Sequence, residues 1–395
     1  MKQSRPRILL FEPYMFDQMY GNMRYLASIA RWHDRDRFDL EIVVPRWTEF
    51  AATLSDLGAV VRVVPPPPIL QTHGGRLMRG FLRQLKAAAA VFIYTARLVR
   101  VIRGGAFDVV HCHSIRAVLT IGWAARLTGR PVLWYVKGQL DNPLLDRIGF
   151  LLATRILFQG ATNKDRRYRL FTRLFRYKIA ILANGIELDD VRVAASESDI
   201  EFRRSLGLDP ARLNLVAVGQ VSPPKGLRYL IEALAQLKNT VRPLSLYIVG
   251  GDGIDAYKDH RLFLEELARS HQLDCVYFLG WRRDVYRIVS LMDAMVHPSL
   301  EEGVPKSVIE AMALRRPVVV TRVGSVPDLV TNDVNGLIVP PADSTQLAQA
   351  IERITNDDAL RHRLAQAAFD FAWKNCSIQT NVHGLENVWS EIAAR

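Results

Sequence analysis

The feature that most limits what this chain can fold into is an alternation of short apolar runs with amphipathic stretches, and the alternation starts twice. Strands are predicted at Arg7–Phe11, Leu40–Val44, Val60–Val64, Asp108–His111, Pro131–Tyr135 and Ile179–Leu182, with helical periodicity between them at Asn22–Arg31, Leu77–Arg103 and Ile115–Leu127. That pattern is the one of a parallel α/β sheet. It resumes with strands at Leu213–Val218, Leu244–Val249, Cys275–Leu279, Ala294–His297 and Pro317–Thr321, and helices at Lys225–Leu237, His260–His271, Pro305–Leu314 and Ser344–Asn356. Two consecutive doubly wound domains follow, with ligands at the carboxyl ends of the strands and a cleft between the halves. The expected organisation is an N-terminal domain over 1–186, a polar, acidic linker over 187–201, a C-terminal domain over 202–375 and a terminal helix over 376–395. That last helix carries Val382, Leu385, Val388, Trp389 and Ile392 at a 3.6-residue spacing, a stripe that has to pack on something, here expected to be the N-terminal domain.

Length agrees with two cores, since 395 residues exceed what one ordinary core holds. With 49% hydrophobic and 23% charged residues the chain is globular rather than disordered. Cys112, Cys275 and Cys376 lie far apart without metal-ligand spacing, which reads as three reduced, partly buried thiols of a cytosolic protein. Met1 to Arg7 is charged and the apolar run after it is short, so no secretory leader is expected. The most lipophilic segment, Ala87–Tyr94, is far shorter than the ~20 residues of a spanning helix. The chain should touch a membrane rather than cross one. Charge is uneven: residues 1–185 hold 29 Lys and Arg against 12 Asp and Glu, a balance of +17, while the rest holds 23 against 28, a balance of −5. A field of one sign on one half implies an anionic partner there.

The chemistry is concentrated in Met295-Val-His-Pro-Ser-Leu-Glu-Glu-Gly-Val-Pro-Lys-Ser-Val-Ile-Glu310-Ala-Met-Ala. A buried strand ends at His297, a loop carries Glu301, Glu302 and Gly303, and a helix begins near Pro305. Glu302 thus stands before a helix N-terminus, where backbone N–H groups form a ready site for a diphosphate or sugar hydroxyls, and Glu310 lies one to two turns in. A carboxylate there can bridge ribose hydroxyls, and a second one near the anomeric carbon can stabilise oxocarbenium character. The plainer reading is dipole complementation by acids in a first turn, worth under ~1 kcal/mol each.

The stretch resembles the retaining nucleotide-sugar transferases of glycosyltransferase family 4, which have the two-domain GT-B architecture. The family's Glu, seven residues, Glu signature falls on Ser299, Glu302, Gly303, Pro305 and Glu310-Ala-Met-Ala. It continues through Arg316-Pro-Val-Val-Val-Thr, Gly324, Asp328 and Asn335-Gly-Leu-Ile-Val-Pro-Pro. Val218-Gly219 and Lys225-Gly226 resemble the family's glycine-then-lysine loop, and Ile248-Val-Gly-Gly251 and Phe278-Leu-Gly280-Trp281 its strand-end glycines. Asp108-Val-Val-His-Cys-His113 and Ala183-Asn-Gly-Ile186 carry a looser likeness into the first half.

The resemblance implies a hexosyltransferase of retaining type that needs no metal and no cofactor beyond its nucleotide-sugar donor. By that likeness Glu310 holds the ribose, Glu302 faces the transferred sugar and Lys225 neutralises the diphosphate. Gly280, Trp281 and Arg282 lie beside the base, and Gly219, Gln220, Gly303, Val304, Pro305 and Lys306 line the donor. Gly21, His113, Lys137 and Gly138 are expected toward the acceptor and the reacting sugar. The sequence departs from the family pattern at four places: Gln220 for a usual arginine, Lys137-Gly138 where many members have a histidine, Leu314-Arg315 after the signature helix, and Tyr20-Gly21 for the usual glycine pair.

Other parts of the sequence carry weaker signals. Asp34-Arg-Asp36 matches a metal motif of the other transferase fold but sits in a polar turn, a surface position. His111 and His113 alternate at a strand end and are not expected to share a ligand without a bend; one could face the cleft. Gly250-Gly-Asp-Gly253 reads as a tight turn. Two basic stretches with aromatics, Arg76–Arg103 and Lys164–Lys178, have the composition of membrane-surface helices, although their apolar faces could equally be core. The expected protein is a cytoplasmic, peripherally membrane-bound transferase, and the resemblance implies a lipid-linked or cell-envelope polysaccharide or lipopolysaccharide acceptor, as many family members have. The alternatives are a GT-B transferase with a soluble acceptor, and a non-catalytic module binding an anionic surface. No nucleic-acid partner is expected, because no RNP, zinc-finger or recognition-helix signature is present.

Overall fold

The computed structural model describes residues 5–13, 21–70, 81–136, 140, 142–160, 169–182, 185–196, 200–237, 242–252, 257 and 259–394. The chain divides into two compact units.

In the first unit seven strands, β1 (Arg7–Phe11), β2 (Asp39–Val44), β3 (Val60–Val63), β4 (Val109–Cys112), β5 (Val132–Val136), β6 (Arg155–Phe158) and β7 (Ile179–Ile181), form one parallel sheet. Their order is β3-β2-β1-β4-β5-β6-β7. The helices are α1 (Gly21–Trp32), α2 (Glu49–Asp56), α3 (Phe81–Gly105), α4 (Ile115–Leu127), α5 (Pro143–Leu152) and α6 (Arg169–Leu174). Local chemistry sets their starts: Ser114 Oγ accepts from Ala117 N at 3.1 Å ahead of α4, and Asn142 caps α5 with Pro143 in the first turn. The sequence reading missed β6, which opens on an arginine and is four residues long.

The second unit runs from residue 184 to Ile378 and takes in Gly160. It begins with α7 (Leu188–Ser196) and α8 (Ile200–Ser205), followed by β8 (Leu213–Val218), α9 (Leu227–Gln236), β9 (Leu244–Val249), α10 (His260–Ser270) and β10 (Val276–Gly280). Then come α11 (Val285–Ser290), β11 (Ala294–His297), α12 (Lys306–Ala313), β12 (Val318–Thr321), α13 (Val326–Leu329), β13 (Leu337–Val339), α14 (Ser344–Asn356) and α15 (Asp358–Asn375). The parallel order is β10-β9-β8-β11-β12-β13. Strand periodicity builds two cores here: Leu213, Leu215 and Ala217 join the cluster on one face of the sheet, and Val216 the cluster on the other.

Each unit has the doubly wound arrangement read from the alternation, as expected of the two Rossmann-like domains that the resemblance implies.

The stretch expected as a linker is not one. Leu188 and Val191, three residues apart, are buried in the core of the second unit, and α7 packs on α11 and α12. The acids that made the segment look solvent-bound, Asp189 and Asp190, occupy the first turn of α7, where they complement the helix dipole. The last helix, α16 (Ile378–Ala393), belongs from Gln379 onward to the first unit. Val382, Leu385, Trp389 and Ile392 are buried there. Trp389 Nε1 donates to His111 Nδ1 at 3.3 Å, and the Tyr25 hydroxyl donates to Asn381 Oδ1.

The expectation for His111 and His113 is also corrected. Residues two apart on a strand share a face, and the two rings lie with centroids 4.3 Å apart, both buried. Asp34 and Asp36 fall in an exposed turn that Asp34 itself closes by accepting from the Asp36 amide at 2.9 Å. All three cysteines are free and buried, and burial pushes the Cys376 thiol up to about 11.

Candidate active site

In a doubly wound sheet, ligands sit outside the carboxyl ends of the strands where the strand order reverses. In the second unit that point lies between β8 and β11. The loops leaving these two strands are the ones that carry Lys225 and Glu302.

The loop after β8 turns through Gly219 and a short 3₁₀ segment, Pro223–Lys225, into Gly226 at φ +64°. A side chain on Gly226 would lie 2.1 Å from the Pro298 carbonyl, so only glycine lets this loop close on the one after β11. The contact is fixed by Leu300 N donating to Pro224 O at 2.8 Å. From the other side, the end of β12 and the loop after it brace it: Thr321 Oγ1 donates to Ser299 O, and Ser325 Oγ donates to Gly303 O at 2.6 Å.

Glu302 is the centre of the arrangement. Its Oε1 receives the Lys225 ammonium, His297 Nε2 at 2.9 Å and Ser299 Oγ at 3.1 Å. Burial acts to raise the carboxyl, but the His297 hydrogen bond and charge and the Lys225 ammonium outweigh it, holding the group down at about 2. It is an ionised acceptor at every physiological pH. A recess lined by Gly219, Lys225, His297, Pro298 and Ser299 opens beside it.

Glu310 is half-buried on α12 and accepts from the Tyr286 hydroxyl at 3.2 Å. Pro305 is buried just before that helix, whose first turn starts at Lys306 rather than Pro305; Gly303, Val304 and Lys306 are half-buried around it. Gly280 ends β10 at φ +67°, and the Trp281 indole beyond it is exposed, with the Arg283 guanidinium 5.7 Å from its ring. Arg282 is bound bidentately by Asp284 at 2.8 and 2.6 Å. Gln220 is exposed. The structure thus brings Lys225, Glu302, Gly219 and Gly303 together, whereas Arg282 is turned onto its own loop.

In the first unit the order reverses between β1 and β4, and His113 follows β4 directly. It is buried with its ring centroid 5.6 Å from Tyr25 and 5.7 Å from Tyr135. Gly21 opens α1. Lys137 and Gly138 lie outside the described residues.

The sequence reading gave no role to His297, Ser299 or Tyr286. His297 and Ser299 carried a signal that was available: two polar side chains at the carboxyl end of a buried strand, just ahead of an acidic loop.

Comparison with known proteins agrees with this reading of the fold. The model of Glycosyltransferase Family 4 matches residues 21–219, and that of Glycosyl transferases group 1 matches residues 198–371. The chain belongs to glycosyltransferase family 4 and is a glycosyltransferase. It is 27% identical over 283 residues to UDP-Gal:alpha-D-GlcNAc-diphosphoundecaprenol alpha-1,3-galactosyltransferase of Escherichia coli, covering 67% of this chain and 70% of that one. To D-inositol 3-phosphate glycosyltransferase of Corynebacterium diphtheriae it is 27% identical over 404 residues, covering 93% and 89%. Among solved structures, Anabaena HepE in complex with UDP superposes with a TM-score of 0.78 at 21% identity, covering 98% of this chain and 100% of that one.

Proposed function

We propose that the protein is a retaining glycosyltransferase that takes a nucleotide-sugar donor in its second unit and passes the sugar to a lipid-linked acceptor. The observation that carries this reading is the ionised Glu302 joined to Lys225 at the switch point of the second sheet. Breaking an anomeric bond to a diphosphate leaves negative charge on the leaving group and positive character on the sugar. A fixed ammonium and a fixed carboxylate answer those two charges. In this reading Lys225 serves the diphosphate, Glu302 faces the sugar, Glu310 holds the ribose and the Gly280–Arg282 corner lies beside the base. Lys137 supplies a further charge near the reacting sugar, and no divalent metal is needed. The test is donor turnover across a panel of UDP-, GDP- and ADP-sugars. Turnover of one class at a rate that Glu302→Gln abolishes supports the reading, and turnover of none overturns it.

The lipid-linked acceptor is supported by a surface of the first unit. The apolar residues of the basic stretch Arg76–Arg103, which include Leu77, Phe81, Leu85, Ala88 and Phe92, were expected to face either a core or a membrane. The core takes Ala90, Tyr94, Leu98 and Ile102 instead, leaving Phe92 75% exposed. α3, α4 and α5 pack side by side, and α4 adds Trp123 and Leu127, 52% and 67% exposed. Arg97, Arg100 and Arg126 stand on the same helices. Apolar side chains among arginines suit the boundary of an anionic bilayer, at about 1 kcal/mol per surface-near cation. Among the described residues no helix is long and apolar enough to cross a membrane. We propose a peripheral position on the cytoplasmic face. A soluble acceptor is the second reading, favoured by the inositol phosphate in the name of the corynebacterial relative.

A further inference from the structure

Three donors meet on one oxygen of Glu302. Lys225 Nζ, His297 Nε2 and Ser299 Oγ all reach Oε1, and His297 Nε2 and Ser299 Oγ are themselves 3.1 Å apart. Among the described residues, every hydrogen bond and ion pair of this carboxylate goes to Oε1. An ionised carboxylate only accepts, so Ser299 donates its hydroxyl and His297 presents Nε2–H. His297 and Ser299 are 3% and 0% exposed. Their backbone is held as firmly as their side chains. His297 closes β11 in register with Val320, and Thr321 Oγ1 reaches the carbonyls of both His297 and Ser299.

One cation alone would neutralise the carboxylate. The additional pair makes sense because, on the donor reading above, Lys225 has a second anion to serve. When its ammonium turns to the diphosphate, a nearly buried carboxylate held by nothing else would lose its partner and its orientation, and an unpaired buried charge is costly. We propose that His297, backed by Ser299, is a positioning residue: it keeps Oε1 of Glu302 in place while Lys225 engages the diphosphate, so that Oε2 stays directed at the transferred sugar. The inference rests on the donor reading, and it assigns to two buried side chains work that they do through Glu302.

The test compares His297→Leu, which removes the donor at similar bulk, with His297→Gln, whose amide can still donate at about the same reach. Calorimetry with UDP, GDP and ADP is run beside steady-state kinetics with the matching nucleotide sugars. His297→Leu should lower kcat by about 10- to 100-fold, the range for losing a hydrogen bond to a charged group. Nucleoside diphosphate affinity and donor KM should change by no more than about twofold, because the lost contact is felt at the sugar. His297→Gln should recover most of the rate. A histidine that only fills space would give no rescue by Gln and no split between kcat and KM. Wild-type kcat in His297→Leu, or equal loss in Leu and Gln, overturns the proposal while leaving the donor reading intact. If wild-type protein binds none of the three diphosphates, both fall together. Should His297→Leu not fold, Ser299→Ala with His297→Gln replaces it: a several-fold lower kcat in the first with near-normal kcat in the second supports the role, and equal rates overturn it.

Discussion

Lys225 and Glu302 lie 77 residues apart in sequence and form an ion pair across two loops that leave neighbouring strands of one sheet. The pair joins the two charges that a diphosphate-sugar donor would otherwise meet separately. Because Oε1 also accepts from His297 and Ser299, the carboxylate does not depend on the lysine alone.

The pair has a consequence in acid. The Glu302 carboxyl is depressed from an ordinary value of 4.5 to about 2. A depressed acid adds stability above its unfolded pKa and loses it as pH falls through the folded value. Its contribution should thus be complete above about pH 4.5 and gone below about pH 2, and amounts to something on the order of 3 kcal/mol. Denaturant unfolding between pH 6 and pH 2 measures it as the difference between wild type and Glu302→Gln. Parallel pH profiles for the two would show that Glu302 is not held as described.

Lys225→Ala should lower kcat by at least ~10²-fold, the usual effect of removing one electrostatic donor from a site. Gln220 is exposed and Arg282 is engaged by Asp284, so the position beside the glycine turn is open to a second cation. Gln220→Arg is accordingly expected to leave activity intact or raise it. Steady-state kinetics on both variants decide this, and a Lys225→Ala enzyme with near-normal kcat means that the diphosphate site is elsewhere.

Nucleotide affinity tests Glu310. Losing a hydrogen-bonded ribose should cost on the order of 1–3 kcal/mol in Glu310→Ala. Tyr286→Phe removes the hydroxyl that donates to Glu310 Oε1 at 3.2 Å and should cost less, about 1 kcal/mol. Calorimetry giving equal affinity for wild type and Glu310→Ala rules out the ribose assignment.

Gly324 at φ +51° presses against the loop that carries Glu302, where an added Cβ would lie 2.0 Å from the Glu302 carbonyl. Gly324→Ala combines left-handed backbone strain with a clash against main chain, and should cost about 1–3 kcal/mol. A denaturant midpoint unchanged by the substitution would show that the loop yields freely.

Membrane attachment is tested by flotation on anionic vesicles. Retention at low salt should fall as salt rises, and Phe92→Ser with Trp123→Ser should weaken it without lowering Tm, since both side chains are more than half exposed. No retention of wild type on anionic vesicles at low salt removes the membrane and brings the soluble acceptor forward.

The sequence by itself determined what local geometry can determine. Strand and helix periods are set by backbone dihedrals, so the ends of Ile115–Leu127 and Ser344–Asn356 coincide with α4 and α14, and the doubly wound pattern was legible in both halves. The spacing of Glu302 and Glu310 across a strand, loop and helix was legible for the same reason. Helix periodicity also shows that a stripe exists without showing what covers it. In α3 the packed side proved to be Ala90, Tyr94, Leu98 and Ile102, and Phe92 faces solvent. The acids of Asp189 and Asp190 likewise hid a helix whose Leu188 and Val191 enter a core assembled from distant parts of the chain, from Val216 out to Cys376. Only the tertiary structure decided these, and only it placed Lys225, His297 and Ser299 on one oxygen of Glu302. A side chain's partner across a sheet edge depends on strand order and loop closure, which no local window of sequence contains.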